Sequence, residues 1–277
     1  MPQNAAPAGP FSAPRILCLH GGGTNAAIFR FQLRAIISRS KENFRFVFVE
    51  APFISPAHEA VAEVFADFAP FRRWLRFLKD HEEIEDDVAA AEIVKACRDA
   101  MEKDDKAGSK GEWVGLLGFS QGAKIAASLL WAQQIFGMRA KDGEKKDSLL
   151  NARFKFGVLM NGRYPIIKLS PDLPENPYIA PAGHLFSEEF ELPTSNSGEH
   201  VCFIPTVHVH GLQDPGLQQH REMKNLWFAP GSARLVQWDG DHRLPIKPAD
   251  VDEVLTKIYD LAESAGIDIT REDGHYY

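Results

Sequence analysis

Ser120 sits between two glycines in Gly118-Phe119-Ser120-Gln121-Gly122, straight after the apolar run Trp113 to Leu117 and before a stretch of helical periodicity. A serine hydroxyl is a weak nucleophile near neutral pH. To attack a carbonyl it needs an imidazole that takes its proton and a carboxylate that keeps the imidazole in the right tautomer. A strand, a sharp turn and a helix would hold such a hydroxyl at the edge of a sheet. The turn forces a crowded backbone on the serine, and a side chain at either neighbouring glycine would strike the strand or the helix.

The partners of a serine held in this way follow it in the order acid, then histidine. Val207-His208-Val209-His210-Gly211-Leu212-Gln213-Asp214-Pro215 is an apolar run ending in a turn, and Asp214 stands where the acid is needed. Gln237-Trp238-Asp239-Gly240-Asp241-His242 repeats that design, with His242 as the base. Asp239 and Asp241 are rival acids, but each is too near His242 in sequence to orient its ring easily. The plainer readings are a turn or helix cap for Asp214 and a polar loop histidine for His242. The oxyanion formed on attack needs two backbone amides aimed at it. Gln121, next after the serine, supplies one, and Gly22 or, second, Gly23 in the loop Cys18-Leu19-His20-Gly21-Gly22-Gly23-Thr24-Asn25 supplies the other. His20 is expected to brace that loop. His208 and His210 alternate onto one strand face, which favours packing or hydrogen bonding over metal binding. No residue set has metal-ligand spacing, so neither metal nor cofactor is expected.

The elements that must position these groups are legible as apolar, often β-branched runs at 15–19, 44–49, 113–117, 154–160, 206–210 and 234–238. Near-continuous hydrophobic strands suit a parallel sheet covered on both faces. Helical patterns lie between them at 25–39, 84–101, 121–136, 217–227 and 248–265. The alternation predicts an α/β chain with a doubly wound, mostly parallel sheet and helices on both faces. The expected strand order, 2-1-3-4-5-6, brings the glycine-rich loop after the first strand beside Ser120, at the carboxyl edge where such sheets bind ligands.

The 277 residues are 44% hydrophobic, enough for a substantial core, and read as a disordered lead over 1–13 followed by a single domain over 14–277. A net charge of −7 with no basic block argues against a nucleic-acid partner, and the mixed charges of 141–146 read as a solvated loop. Three cysteines, few and mostly in apolar surroundings, fit reduced thiols, and no run is long enough to span a bilayer, so a cytoplasmic protein is expected. Two stretches break the repeating pattern. Proline-punctuated 163–201 reads as a lid-like insertion. The stretch 51–81 carries Phe65, Phe68, Phe71, Trp74 and Phe77 at intervals of three. These rings suit either the packing of a helix begun near Pro70 or an apolar acyl pocket formed by the stripe from Phe65 to Phe77, Phe65 and Phe68 foremost, with Tyr164, Tyr178, Phe186 and Phe190 closing over it.

Taken in order, His20-Gly21-x-x-x-Asn25, Leu117-Gly118-Phe119-Ser120-Gln121-Gly122-Ala123, His210-Gly211-x-x-Asp214 and Gly240-x-His242 resemble the fungal serine hydrolase family of the α/β-hydrolase superfamily over about 14–265. The elbow also looks like that of acyl-protein thioesterases and carboxylesterases. The resemblance implies the α/β-hydrolase fold, Ser120, Asp214 and His242 as triad, and hydrolysis of a thioester or ester without a cofactor. Members encoded beside fungal polyketide synthases, as in the lovastatin and citrinin pathways, release the acyl chain from the synthase. An apolar acyl substrate and an acyl-carrier domain of a polyketide synthase are thus the implied partners. The alternatives are a general carboxylesterase acting on short or medium acyl esters, an acyl transferase using the same acyl-enzyme, and a non-hydrolytic binding or assembly protein that keeps the fold.

Overall fold

Each of the six apolar runs is a strand in the computed structural model, which describes residues 9–140, 148–185 and 190–271. They are β1 (Arg15–Leu19), β2 (Arg45–Val49), β5 (Trp113–Phe119), β6 (Phe156–Met160), β9 (Thr206–Gly211) and β10 (Ala233–Trp238). All five pairings are parallel, and the order β10-β9-β6-β5-β1-β2 is the expected arrangement read from the opposite edge. Five of the six strands are buried along most or all of their length, because helices cover both faces and leave no strand face for water.

On one face lie α4 (Asp86–Lys106), α5 (Gln121–Arg139) and α6 (Leu217–Trp227). Their core includes Trp74, Trp131, Trp227 and Leu130. On the other lie α1 (Ala26–Gln32), α2 (Arg34–Ser40) and α7 (Pro248–Ser264), over Phe29, Phe46, Phe156 and Val254. The pattern over 25–39 predicts one helix, whereas the chain breaks at Leu33, with ψ near 2°. The bend lets α1 pack on β2 while α2 turns away to meet α7. No described helix is long and apolar enough to cross a membrane.

The two irregular stretches fold differently from expectation. Over 51–81 there is no helix begun near Pro70. Instead β3 (Phe53–Ser55) pairs antiparallel with β4 (Phe71–Arg73), and between them lie α3 (Glu59–Ala62) and a single 3₁₀ turn at Ala66–Phe68. The three-residue recurrence of rings therefore reflects no helix face. Only Trp74 among those five rings is fully buried. The described part of 163–201 packs against the core. It contains β7 (Ile166–Ile167) and β8 (Ile179–Ala180), and it buries Leu169, Leu173 and Val201. Ser128 Oγ accepts from Ile167 N at 2.8 Å, and Trp131 Nε1 donates to Glu199 O at 2.6 Å, which fastens these parts to α5, while Arg163 and Tyr164 reach the Ser120 edge.

Of the lead expected over 1–13, residues 1–8 lie outside the described residues, as do 141–147, which carry the mixed-charge loop, and Phe186. Residues 9–13 are attached to the fold. Gly9 O accepts from Arg45 Nη1 at 2.8 Å, and the Arg45 guanidinium stacks over the Phe11 ring, 4.4 Å from its centroid. At this end of the sheet Arg15 and Arg45 converge on the buried Asp104 of α4, with Arg45 Nη2 at 2.7 Å. The strand carboxyl ends lie opposite.

Candidate active site

The turn from β5 to α5 carries Ser120 at φ 54° and ψ −116°, a conformation that non-glycine residues enter only when their surroundings enforce it. The enforcement comes from contact with the neighbouring strand. A Cβ on Gly122 would lie 1.9 Å from Leu19 O, and one on Gly118 would lie 2.2 Å from Gly122 O. The helix can therefore start against β1 only if both positions lack side chains. The hydroxyl then stands at the carboxyl edge, in a cleft that it helps to line.

Asp214 follows β9, and its carboxylate is fully buried. It accepts from Gly216 N at 2.7 Å, and so caps the turn that starts α6 while also facing the site. His242, in the loop after β10, presents Nδ1 to Asp214 Oδ2 at 2.6 Å and Nε2 to Ser120 Oγ at 3.0 Å. These loops are tied to each other. Gln213 N donates to Gly240 O at 2.8 Å, and a Cβ on Gly211 would lie 2.4 Å from Asp241 O. Asp239 and Asp241 do not take the acid's place. Asp239 pairs with Gln213, and the Asp241 carboxylate faces Arg243.

Burial alone would raise the Asp214 pKa, but His220, His242 and the Gly216 N–H outweigh it and hold the carboxyl well below the usual carboxylate range. The acid is then anionic, and the Nδ1 that faces it must carry the proton. Nε2 is left with a lone pair toward the serine hydroxyl, the tautomer a general base needs.

Three further residues stand beside these groups that the sequence reading did not nominate. Asn161, at φ 49° after β6, donates from Nδ2 to Asp214 Oδ2 at 2.5 Å and to Asp241 O at 3.3 Å. His220 Nδ1 donates to Gly162 O at 2.9 Å. Its Nε2 lies 2.9 Å from Asp214 Oδ2, though not aligned as a hydrogen bond. His58 packs near His242, with ring centroids 6.4 Å apart. A polar residue directly after a buried strand was the available signal for Asn161; His58 and His220 carried none.

In the glycine loop, Ala51 N donates to His20 Nε2 at 3.1 Å, so the ring proton is on Nδ1, which donates to Gly21 O at 2.7 Å. His20 thus ties the loop to the end of β2. Gly23 cannot serve as the second oxyanion amide, because its N–H donates to Arg72 O at 2.8 Å. Gly22 lines the cleft with Ser120, and a Cβ there would lie 2.7 Å from the Gln121 side chain. That side chain accepts from Trp74 N at 3.1 Å and Leu75 N at 3.3 Å, fixing the wall of the cleft.

The buried His208 and His210 stack edge to face, and burial lowers both of their pKa values. Among the described residues, Asp214 Oδ2, His220 Nε2 and His242 Nδ1 are near enough to share a metal ion, but two of these atoms already form the 2.6 Å acid–base contact.

The sequence profile of the family described as Serine hydrolase (FSH1) matches residues 11–254. The chain belongs to this family. It is a hydrolase enzyme with the α/β-hydrolase fold. Esterase citA of Monascus ruber is 46% identical over 253 residues, covering 91% of this chain and 94% of that protein. Esterase claE of Penicillium crustosum is 45% identical over 259 residues, covering 92% and 94%. Among solved structures, TT1662 from Thermus thermophilus gives a TM-score of 0.51 at 16% identity, covering 92% of each chain, and at that identity it shows the fold alone.

For this serine hydrolase the cleft has two arms that share Gly22, His58, Ser120 and His242. One, of about 320 Å³, is walled by Phe31, Val61, Phe65, Leu244 and Ile246. The other, of about 390 Å³, is walled by Leu75, Phe77, Lys124, Arg163 and Tyr164. Of the expected pocket rings, Phe65, Phe77 and Tyr164 reach the cleft. Phe68 packs behind Phe65 at 5.4 Å, and Tyr178 packs edge-on to His200 at 5.0 Å, outside the lining of both arms. Phe190 packs against His184 and not over the cleft. A further cavity, about 860 Å³ between β2 and α4, touches none of Ser120, Asp214 and His242.

Proposed function

We propose that this serine hydrolase cleaves an acyl thioester or ester through an acyl-Ser120 intermediate, and that its natural reaction releases a polyketide chain from a carrier protein. The observation that carries the chemistry is His242, bridging Ser120 Oγ at 3.0 Å and Asp214 Oδ2 at 2.6 Å. In this reading His242 Nε2 takes the hydroxyl proton as Oγ bonds to the carbonyl carbon. The oxyanion is stabilised by the amides of Gly22 and Gln121, the latter at the start of α5, where backbone N–H groups lack helical partners. Collapse breaks the bond to sulfur or oxygen, and the leaving group departs with the proton from His242. Water then repeats the cycle on the acyl-enzyme and yields a carboxylic acid.

Release from a carrier is supported by the open cleft edge. Ile167 and Glu199 of the 163–201 stretch are bonded to α5, and Arg163 and Tyr164 form part of the cleft wall that an acyl chain presented by a second protein would meet. The three buried, free cysteines suit a reducing compartment, and a cytoplasmic location is part of the proposal. A fluorophosphonate probe should label the unmutated protein, and Ser120→Ala should abolish both labelling and turnover; undiminished labelling of the variant refutes the assignment. Carrier-bound acyl thioesters should be turned over better than p-nitrophenyl esters of the same acyl group. Equal or better use of the simple esters, with carrier-bound chains untouched, would make the protein a general carboxylesterase.

A further inference from the structure

The acid of the site is faced by a second imidazole. His220 lies in the first turns of α6, fully buried, and two contacts fix the state of its ring. Nδ1 stands 2.9 Å from Gly162 O. A carbonyl can only accept, so Nδ1 carries a proton. Nε2 lies 2.9 Å from Asp214 Oδ2, and both side chains are wholly shut off from solvent. Nε2 has no hydrogen-bond partner among the described residues. In a neutral ring with its proton on Nδ1, the bare Nε2 would be a buried acceptor without a donor, pressed against an anionic oxygen. A proton on Nε2 turns the same contact into an ion pair. That pair needs no hydrogen-bond alignment, because attraction between opposite charges depends on distance.

The groups around the ring define what that charge does. His210 of β9 packs against it at 5.6 Å between centroids, with His208 behind at 6.1 Å, and burial pushes both of these rings toward the neutral form. His242 stacks on the other side at 6.2 Å, with the planes 24° apart. Arg163 meets the far oxygen of Asp214 at 3.5 Å. On α6 itself Arg221 and Lys224 add positive charge that His210 also feels, while Glu222 is turned to Gln218. The start of α6 contributes a further fraction of positive charge. These groups oppose a cation at His220, whereas the Asp214 carboxylate, a full charge in contact with the ring, favours it. His242 shares that carboxylate through Nδ1. When it takes the Ser120 proton it becomes a second imidazolium on the same anion. Like charges this close disfavour each other, so a charged His220 makes His242 harder to protonate.

Resting on the assignment of Ser120, Asp214 and His242 as the triad, we propose that His220 is a positioning residue held as an imidazolium: its two N–H groups hold Asp214 Oδ2 and the Gly162 carbonyl, and its charge keeps His242 unprotonated at lower pH. The buried acid then faces a standing cation on one side and the working base on the other, with Asn161 as a neutral donor to the same oxygen. His242 is weakened as a proton acceptor and strengthened as a proton donor to the leaving group. Hydrolysis thereby extends to more acidic conditions.

The test follows the rate at which a fluorophosphonate labels Ser120 as a function of pH, in the full chain. Labelling needs an unprotonated His242 and no natural substrate. His220→Gln removes the charge while its amide can keep an N–H near Asp214, and His220→Phe removes both. In each variant the midpoint of the acid limb should rise by about one to two pH units, the effect of one charge 6.2 Å away in a partly screened interior. A rate that changes with the midpoint unmoved in both variants would reduce His220 to a packing residue and overturn the proposal, as would a midpoint that falls. Nitrogen-15 NMR of the unmutated protein gives a reading that stands even if neither variant folds. Near neutral pH both ring nitrogens of His220 should carry protons, and a bare Nε2 overturns the proposal. Labelling also separates the two assignments. An enzyme labelled at Ser120 whose acid limb does not move refutes the role of His220 alone, whereas an enzyme not labelled at Ser120 refutes the nucleophile.

Discussion

Asp214 carries the greatest concentration of duties on any one side chain. Its two oxygens cap a turn, meet His242 Nδ1 and lie beside Asn161, Arg163 and His220; in the proposed mechanism the contact with His242 orients the base. Replacing it by asparagine keeps the shape but offers His242 Nδ1 either a neutral acceptor or an N–H, which favours the wrong ring tautomer. Asp214→Asn should therefore lower kcat by about 10³- to 10⁴-fold with little change in thermal midpoint, measured by steady-state kinetics and thermal unfolding side by side. A loss below tenfold would show that this carboxylate does not orient the base. That Ser120, Asp214 and His242 are candidates could be read from sequence because each is the polar residue in a tight turn behind an apolar run, and the structure brings the three side chains together. Asn161 and His220 could not be read in this way. Their significance comes from distance to Asp214, across 53 residues of chain in the case of Asn161, and local spacing carries no record of that.

At the level of elements, strand, elbow and helix form one unit whose geometry depends on missing side chains. Gly122→Ala would place a Cβ 1.9 Å from Leu19 O, and neither backbone can yield without separating α5 from β1. The expected outcome is loss of soluble, folded protein, or a thermal midpoint lowered by many degrees with turnover abolished; a variant with unmutated stability would show that the elbow has room to relax. The opposite end of the sheet is fastened differently. Asp104 of α4 receives Arg45 through Nε and Nη2 at 2.7–3.1 Å and Arg15 at 3.4 Å, all three nearly buried. Asp104→Ala would leave the buried Arg45 guanidinium without its carboxylate and Arg15 with Asp105 alone, and should cost about 3–5 kcal/mol in denaturant unfolding, because breaking a buried pair exposes its full desolvation penalty. Catalysis at the far edge should change little in whatever fraction stays folded. The helix and strand runs were legible from periodicity. The break at Leu33 and the β3–β4 pair were not, since tertiary contacts with α7 and with the Thr24–Arg72 bridge decide them.

Over the molecule as a whole, the buried histidines govern how stability responds to acid. His210 is pushed down from 6.5 to about 3, by burial first and then by His220, and His208 is lowered for the same leading reason. A histidine with a depressed folded pKa binds fewer protons folded than unfolded. Stability is therefore complete above the unfolded value near 6.5 and falls as pH drops toward the folded value of about 3. Each such group contributes a slope of up to about 1.4 kcal/mol per pH unit. The thermal midpoint should fall steadily from pH 7 to pH 4, and His210→Gln should make that fall shallower. Parallel curves for the two proteins would mean that His210 does not set the acid response.

The order of apolar runs, the glycines around Ser120 and the late aspartate and histidine were enough, without coordinates, to specify a doubly wound sheet and to nominate an acid, a base and a nucleophile. These are local properties, set by periodicity and by the steric demands of single turns. Tertiary structure alone decided which glycine amide remains available, since Gly23 turns out to serve Arg72. It also decided that Ile167 and Glu199 of the proline-rich stretch bond to α5 and that Arg163 and Tyr164 line the cleft with Ser120. Those outcomes depend on which distant segments meet, and close packing settles that only once the whole chain has folded.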